Sequence, residues 1–124
     1  NILVFSLFAL LIGISSILVH EGVHWMQGML DARVEPDRLF LSMPASDIRG
    51  NTTYKNLAKQ LNFYVAGVKF RWTTNNTSEQ QNFNSEREDN MRELQAYAVE
   101  IVYIIAMFAL VFHYRERWES MVQD

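Results

Sequence analysis

The chain of 124 residues contains no cysteine. That excludes disulfides, thiolate metal sites and cysteine nucleophiles together. Proline is nearly as scarce, with only Pro36 and Pro44. No large excess of one charge sign exists either. The net charge is −3 and the basic residues are scattered, so nothing points to nucleic acid as a partner. No internal repeat is present. The sharpest absence is local: residues 1–19, NILVFSLFALLIGISSILV, carry no charged side chain. The length suits one domain, spanning 1–124. Its first residue is Asn1 rather than methionine, which points to a processed chain or a part of a longer one.

Crossing a bilayer takes roughly 20 apolar residues, and the uncharged run meets that. A secretory signal has a basic start, a shorter apolar core and a small-residue cleavage site, none of which stands out here. A buried core helix is the soluble alternative, but the run is long for so short a chain. The expectation is a transmembrane helix over 1–32, with Trp25 in the interfacial aromatic belt.

That helix carries His20-Glu21-Gly22-Val23-His24, which matches H-E-x-x-H. Residues four apart share a helix face, so His20 and His24 can offer imidazole nitrogens to one ion. Two histidines leave a tetrahedral Zn2+ site in need of a third protein ligand. Glu21 is the candidate general base, taking the proton of an activated water. Five residues with three fixed letters also recur by chance, so the surroundings must decide.

Past the helix, Arg33 to Met43 reads as extended, with Leu39, Leu41 and Met43 alternating with Arg38, Phe40 and Ser42. Pro36 and Pro44 argue against a helix there. Asn62 to Trp72 is a second strand candidate, rich in aromatic and β-branched residues. Thr53 to Leu61 reads as a short helix or loop. Thr73 to Asn84 is polar and asparagine-rich and reads as a mobile loop. Ser85-Glu86-Arg87-Glu88 has the form of a capping box and marks a helix start. From there LQAYAVEIVYIIAMFALVF, Leu94 to Phe112, is again bilayer length, and the helix is expected over 85–118.

One charged residue, Glu100, lies inside this second apolar run. An intramembrane carboxylate is a functional candidate by default. Glu93 lies seven residues before it, so Glu93, Ala96, Tyr97 and Glu100 share a face. Two helices joined by the central loop run antiparallel, which brings Glu93 to the depth of His20 and His24. By a rise of about 1.5 Å per residue, Glu100 lies about 10 Å beyond Glu93. Both are third-ligand candidates. If Glu93 binds, Glu100 is left to accept a hydrogen bond from a histidine's other nitrogen.

Glu93-Leu94-Gln95-Ala96-Tyr97 resembles the E-x-x-A-D element of membrane zincins of the gluzincin type, the HtpX-like and prenyl-protein peptidases. The match includes the glutamate and the alanine; tyrosine replaces the aspartate that supports the ligand shell in that family. The resemblance implies Glu93 as third metal ligand. The stretch from His20 to Val34 also resembles the site-2 proteases, whose later aspartate-glycine ligand motif is absent here.

The resulting expectation is a mainly α integral membrane protein: two antiparallel transmembrane helices flanking a polar loop, 33–84, with a small β hairpin. Its function would be zinc-dependent peptide hydrolysis, with His20, His24 and Glu93 on Zn2+ and Glu21 as base. A peptide or membrane-protein substrate, the lipid bilayer and other membrane subunits are the partners this implies. Tyr97 is the candidate oxyanion donor, His113 falling at the far end of the second helix. The competing reading is a non-catalytic transmembrane subunit of a larger assembly. Haem or di-metal binding ranks lower, because only one E-x-x-H, Glu21 to His24, is present and di-iron bundles need two. Nine of the eleven Lys/Arg lie between Trp25 and Glu93, which favours a cytoplasmic central loop.

Overall fold

The computed structural model describes residues 1–44 and 64–122. The stretch 53–61 lies outside the described residues, as do the first two residues of the second strand candidate. Six elements follow in order: α1 (Ile2–Leu30), β1 (Val34–Pro44), β2 (Tyr64–Trp72), α2 (Thr77–Phe83), α3 (Glu86–His113) and α4 (Arg115–Val122).

Helices α1 and α3 are each long and apolar enough to cross a membrane. They pack antiparallel, as contacts along their length show. Phe5 meets Phe108 and Phe112 at ring-centroid distances of 6.1 and 5.7 Å. Farther along, the Ser15 hydroxyl lies 2.6 Å from that of Tyr103. Gln27 reaches Arg92 and Gln95 near the other end. The usual distribution of polarity is inverted. Leu3, Leu10, Val102 and Ile105 point outward, whereas Ser16, His20, Glu21 and His24 are buried. Ala96, fully buried, shows the role of a small side chain on α3's polar face.

β1 and β2 form a two-stranded antiparallel sheet, with Val34 opposite Trp72 and Pro44 opposite Tyr64. The register shifts just after Pro36. Proline has no N–H for the ladder, and a bulge is where a strand tolerates it. The Phe70 ring lies over Gly28 of α1, where any Cβ would overlap it. Phe70 and Trp72 both stack edge-on against the buried Phe83 of α2, at 5.8 and 5.4 Å.

Two sequence expectations need correction. Within the stretch 73–84, expected to be a mobile loop, α2 forms over Thr77–Phe83. Asn76 caps it by accepting from the backbone N–H groups of Ser78 and Glu79, and Phe83 anchors its end. The second long helix does not run unbroken to 118. It ends at His113, and α4 starts after Tyr114. The Trp118 indole donates to the Val111 carbonyl at 2.8 Å and packs on Phe8. An orphan carbonyl at the helix end is thereby satisfied.

Ser85 is the N-cap of α3 and accepts from Glu88 N–H. The reciprocal half of a capping box would return the Glu88 carboxylate to Ser85. Instead Glu88 accepts two bonds from Arg33, at 2.7 and 3.1 Å. Arg33 also grips Asp31, the C-cap of α1. This bidentate network ties the end of α1 to the first turn of α3. Its hydrogen bonds from Arg33 hold the Asp31 carboxyl below the usual carboxylate range. Donating to Asp31 and then to Glu88 pushes the Arg33 guanidinium up. The consequence for function is alignment, because Glu93 follows Glu88 by little more than one turn.

Candidate metal centre

His20 and His24 project from one face of α1 towards α3, as their spacing requires. Glu93 faces them from α3. Its Oε1 lies 2.7 Å from His24 Nε2, and its Oε2 lies 3.3 Å from His20 Nε2. One ligand atom from each of the three residues fits within 4.8 Å of the others. Bonds of about 2.0–2.1 Å at tetrahedral angles put zinc ligands about 3.3 Å apart, so the grouping is of the right size. The outer nitrogens of both rings are also held. His20 Nδ1 lies 3.0 Å from Glu100 Oε1, and His24 Nδ1 lies 2.8 Å from Gln27 Oε1.

Does this set fit a cation? His24 Nε2 is buried and makes no hydrogen bond, although Glu93 Oε1 is so near. The pair fails on direction rather than distance. A neutral imidazole has one N–H, so His20 cannot donate to Glu100 and Glu93 at once. If both outer nitrogens carry the hydrogen, both inner ones turn a lone pair towards the carboxylate. Lone pairs converging in a buried space suit a positive ion, while a protonated His20 would instead donate to Glu93 and Glu100 together. Two nitrogens and a carboxylate are a zinc donor set with a fourth position open to water.

The other expected residues are distributed as follows. Glu21 is buried next to His20, turned about 100° round the helix by its 3.6-residue period. Glu100 meets His20 on the side away from Glu93. Tyr97 sets its ring edge-on to His20 at 4.4 Å. His113 is twenty residues past Glu93 on the same helix, about 30 Å away by helical rise.

Sequence reasoning missed Gln27, which links three groups. Besides His24 it contacts the Arg92 carbonyl at 3.1 Å and Gln95 Oε1 at 2.9 Å. Its only local signal was a position three residues after His24, on the same helix face. Beside it a cleft of about 430 Å³ opens between the end of α1 and the start of α3, lined by Asp31, Arg33, Glu88 and Arg92 among others. Arg92 is fixed there, donating to the Phe83 carbonyl and lying 3.9 Å from the centre of the Phe83 ring.

Comparison with family models, with curated proteins and with solved structures finds no match to this chain.

Proposed function

We propose that the chain is a membrane-integral zinc-dependent peptidase. One observation carries this reading: His20, His24 and Glu93 converge on one point, while Glu100 and Gln27 hold the outer nitrogens of the two rings. The outward-facing apolar surfaces of α1 and α3 support their placement in a bilayer. Exposed to water, such surfaces would be an aggregation hazard.

Zinc, when bound, would polarise the peptide carbonyl and make water a better nucleophile. The chain's residues supply the rest. Glu21 takes a proton from the attacking water as its oxygen bonds to the carbonyl carbon. It returns that proton to the amide nitrogen as the C–N bond breaks. Tyr97, its ring edge-on to His20, is the residue we assign to donate its hydroxyl hydrogen to the developing oxyanion. Glu100 accepts from His20 Nδ1 and fixes the ring's orientation. A carboxylate at position 100 thus takes up the support that the zincin resemblance would assign to an aspartate at 97.

Metal analysis of the detergent-purified chain tests the reading, with one zinc per chain expected. His20→Ala and His24→Ala should lose the metal, since two remaining ligands seldom hold zinc tightly. Glu21→Gln should keep zinc and lose all peptide hydrolysis. A wild-type chain without stoichiometric metal would make it a non-catalytic membrane subunit.

A further inference from the structure

Gln27 stands outside every motif, yet its three polar contacts together determine the state of His24. The Arg92 carbonyl can only accept a hydrogen bond, so the side of the Gln27 amide facing it is the nitrogen. Gln95 Oε1 receives the second hydrogen of the same nitrogen. The Gln27 oxygen is thereby left to face His24 Nδ1, 2.8 Å away. That oxygen has no hydrogen to give, so Nδ1 must donate. With the hydrogen on Nδ1, the neutral ring keeps its lone pair on Nε2. This is the buried atom beside Glu93 that makes no hydrogen bond.

We infer that Gln27 is a positioning residue for the metal centre, holding His24 in the tautomer and orientation that present Nε2 to the ion, with α3's own backbone setting the direction of the amide. The inference rests on the metal-binding reading. It has a structural corollary: the Arg92 carbonyl that orients Gln27 belongs to the residue immediately before Glu93. One side chain of α1 therefore sets a histidine ligand and registers it against the neighbour of the carboxylate ligand. Glu100 does the equivalent for His20 with a charged acceptor. The two histidines are held by unlike groups, one anionic and one neutral.

The test compares zinc affinity in wild type, Gln27→Leu and Gln27→Glu, by competition with a chromophoric chelator. In parallel, 15N NMR of the chelator-treated proteins reads the histidine tautomers. Gln27→Leu removes the acceptor and should weaken zinc binding by about 10–100-fold, typical of outer-shell losses. Its His24 should no longer be held as the Nδ1–H tautomer. Gln27→Glu keeps an acceptor for Nδ1 but gives up both donors to α3. It should bind zinc within a few-fold of wild type and keep the Nδ1–H tautomer, although it melts at lower temperature. A role in helix packing alone predicts the reverse order, with Gln27→Glu the more damaging because its carboxylate faces the Arg92 carbonyl. That order, or equal affinity of wild type and Gln27→Leu, overturns the inference and leaves the metal reading standing. A wild type that takes up no zinc overturns the metal reading and the inference with it.

Discussion

Replacing Glu100 by alanine separates ligand from support at this centre. The side chain makes one hydrogen bond, 3.0 Å, to His20 Nδ1. Both groups are largely buried, with side-chain exposures of 9% for His20 and 16% for Glu100. Solvent therefore screens the bond little. A hydrogen bond to a charged group is worth about 1.5–3 kcal/mol. Outer-shell losses of about 10–100-fold correspond to roughly 1.4–2.7 kcal/mol, the same range. Glu93→Ala removes one of three donors. Complete structural zinc sites with four ligands bind with roughly 10–16 kcal/mol, so one ligand accounts for roughly 3 kcal/mol or more. That is a loss of over about a hundredfold. Chelator competition on the two variants should therefore rank Glu93→Ala below Glu100→Ala, with Glu100→Gln closest to wild type because its amide oxygen still accepts. If Glu100→Ala strips the metal while Glu93→Ala retains it, the ligand assignment is reversed. If neither matters, these glutamates are not ligands and the non-catalytic subunit becomes the better reading.

Other perturbations probe the frame around it. Gly28→Ala puts a methyl into the Phe70 ring and should cost about 1–3 kcal/mol, seen as a lower melting temperature in detergent. Asp31, its carboxyl held low by Arg33, contributes stability that is complete above its ordinary value of 3.8 and is lost as pH falls through its lowered folded value. The wild-type advantage over Asp31→Asn in thermal melts should accordingly persist at pH 5 and shrink towards pH 3. Cysteines placed at Trp25 and Asn90 should be labelled from one side of a sealed membrane, and one at Glu116 from the other. Labelling of all three from one side would refute the crossing of α3. His113→Ala should leave metal content unchanged, and loss of zinc there would refute the placement of His113 at the far end of α3.

The long helices were legible because their physics is local: apolar runs of bilayer length, one uncharged and one broken only by Glu100, and a serine before a glutamate-rich first turn. The meeting of Glu93 with both histidines was legible for a simpler reason, since a chain that goes out and back must pair those depths. Other features depended on distant partners. α2 hid in a polar stretch because its stability comes from the Asn76 cap and from Phe83 packing on Phe70 and Trp72. The break at Tyr114 depends on an indole reaching back to Val111. Gln27 was invisible because its partners on α3 lie 65 and 68 residues away. No periodicity marks such a residue.

The three residues proposed as metal ligands are divided between two helices, which has a consequence for biogenesis. His24 is translated 69 residues before Glu93, and His20 73 residues before it. At about 5–20 residues per second, the first helix waits roughly 3–14 seconds for its partner. During that interval His20, Glu21 and His24 have no α3 to cover them. On the proposed metal reading, an ion captured afterwards would bridge the two helices and bind only the assembled pair, so mass action would tie helix association to metal supply. Under zinc starvation the newly made chain would persist as a loosely paired hairpin, open to quality-control proteolysis, and metal availability would set its abundance as well as its chemistry.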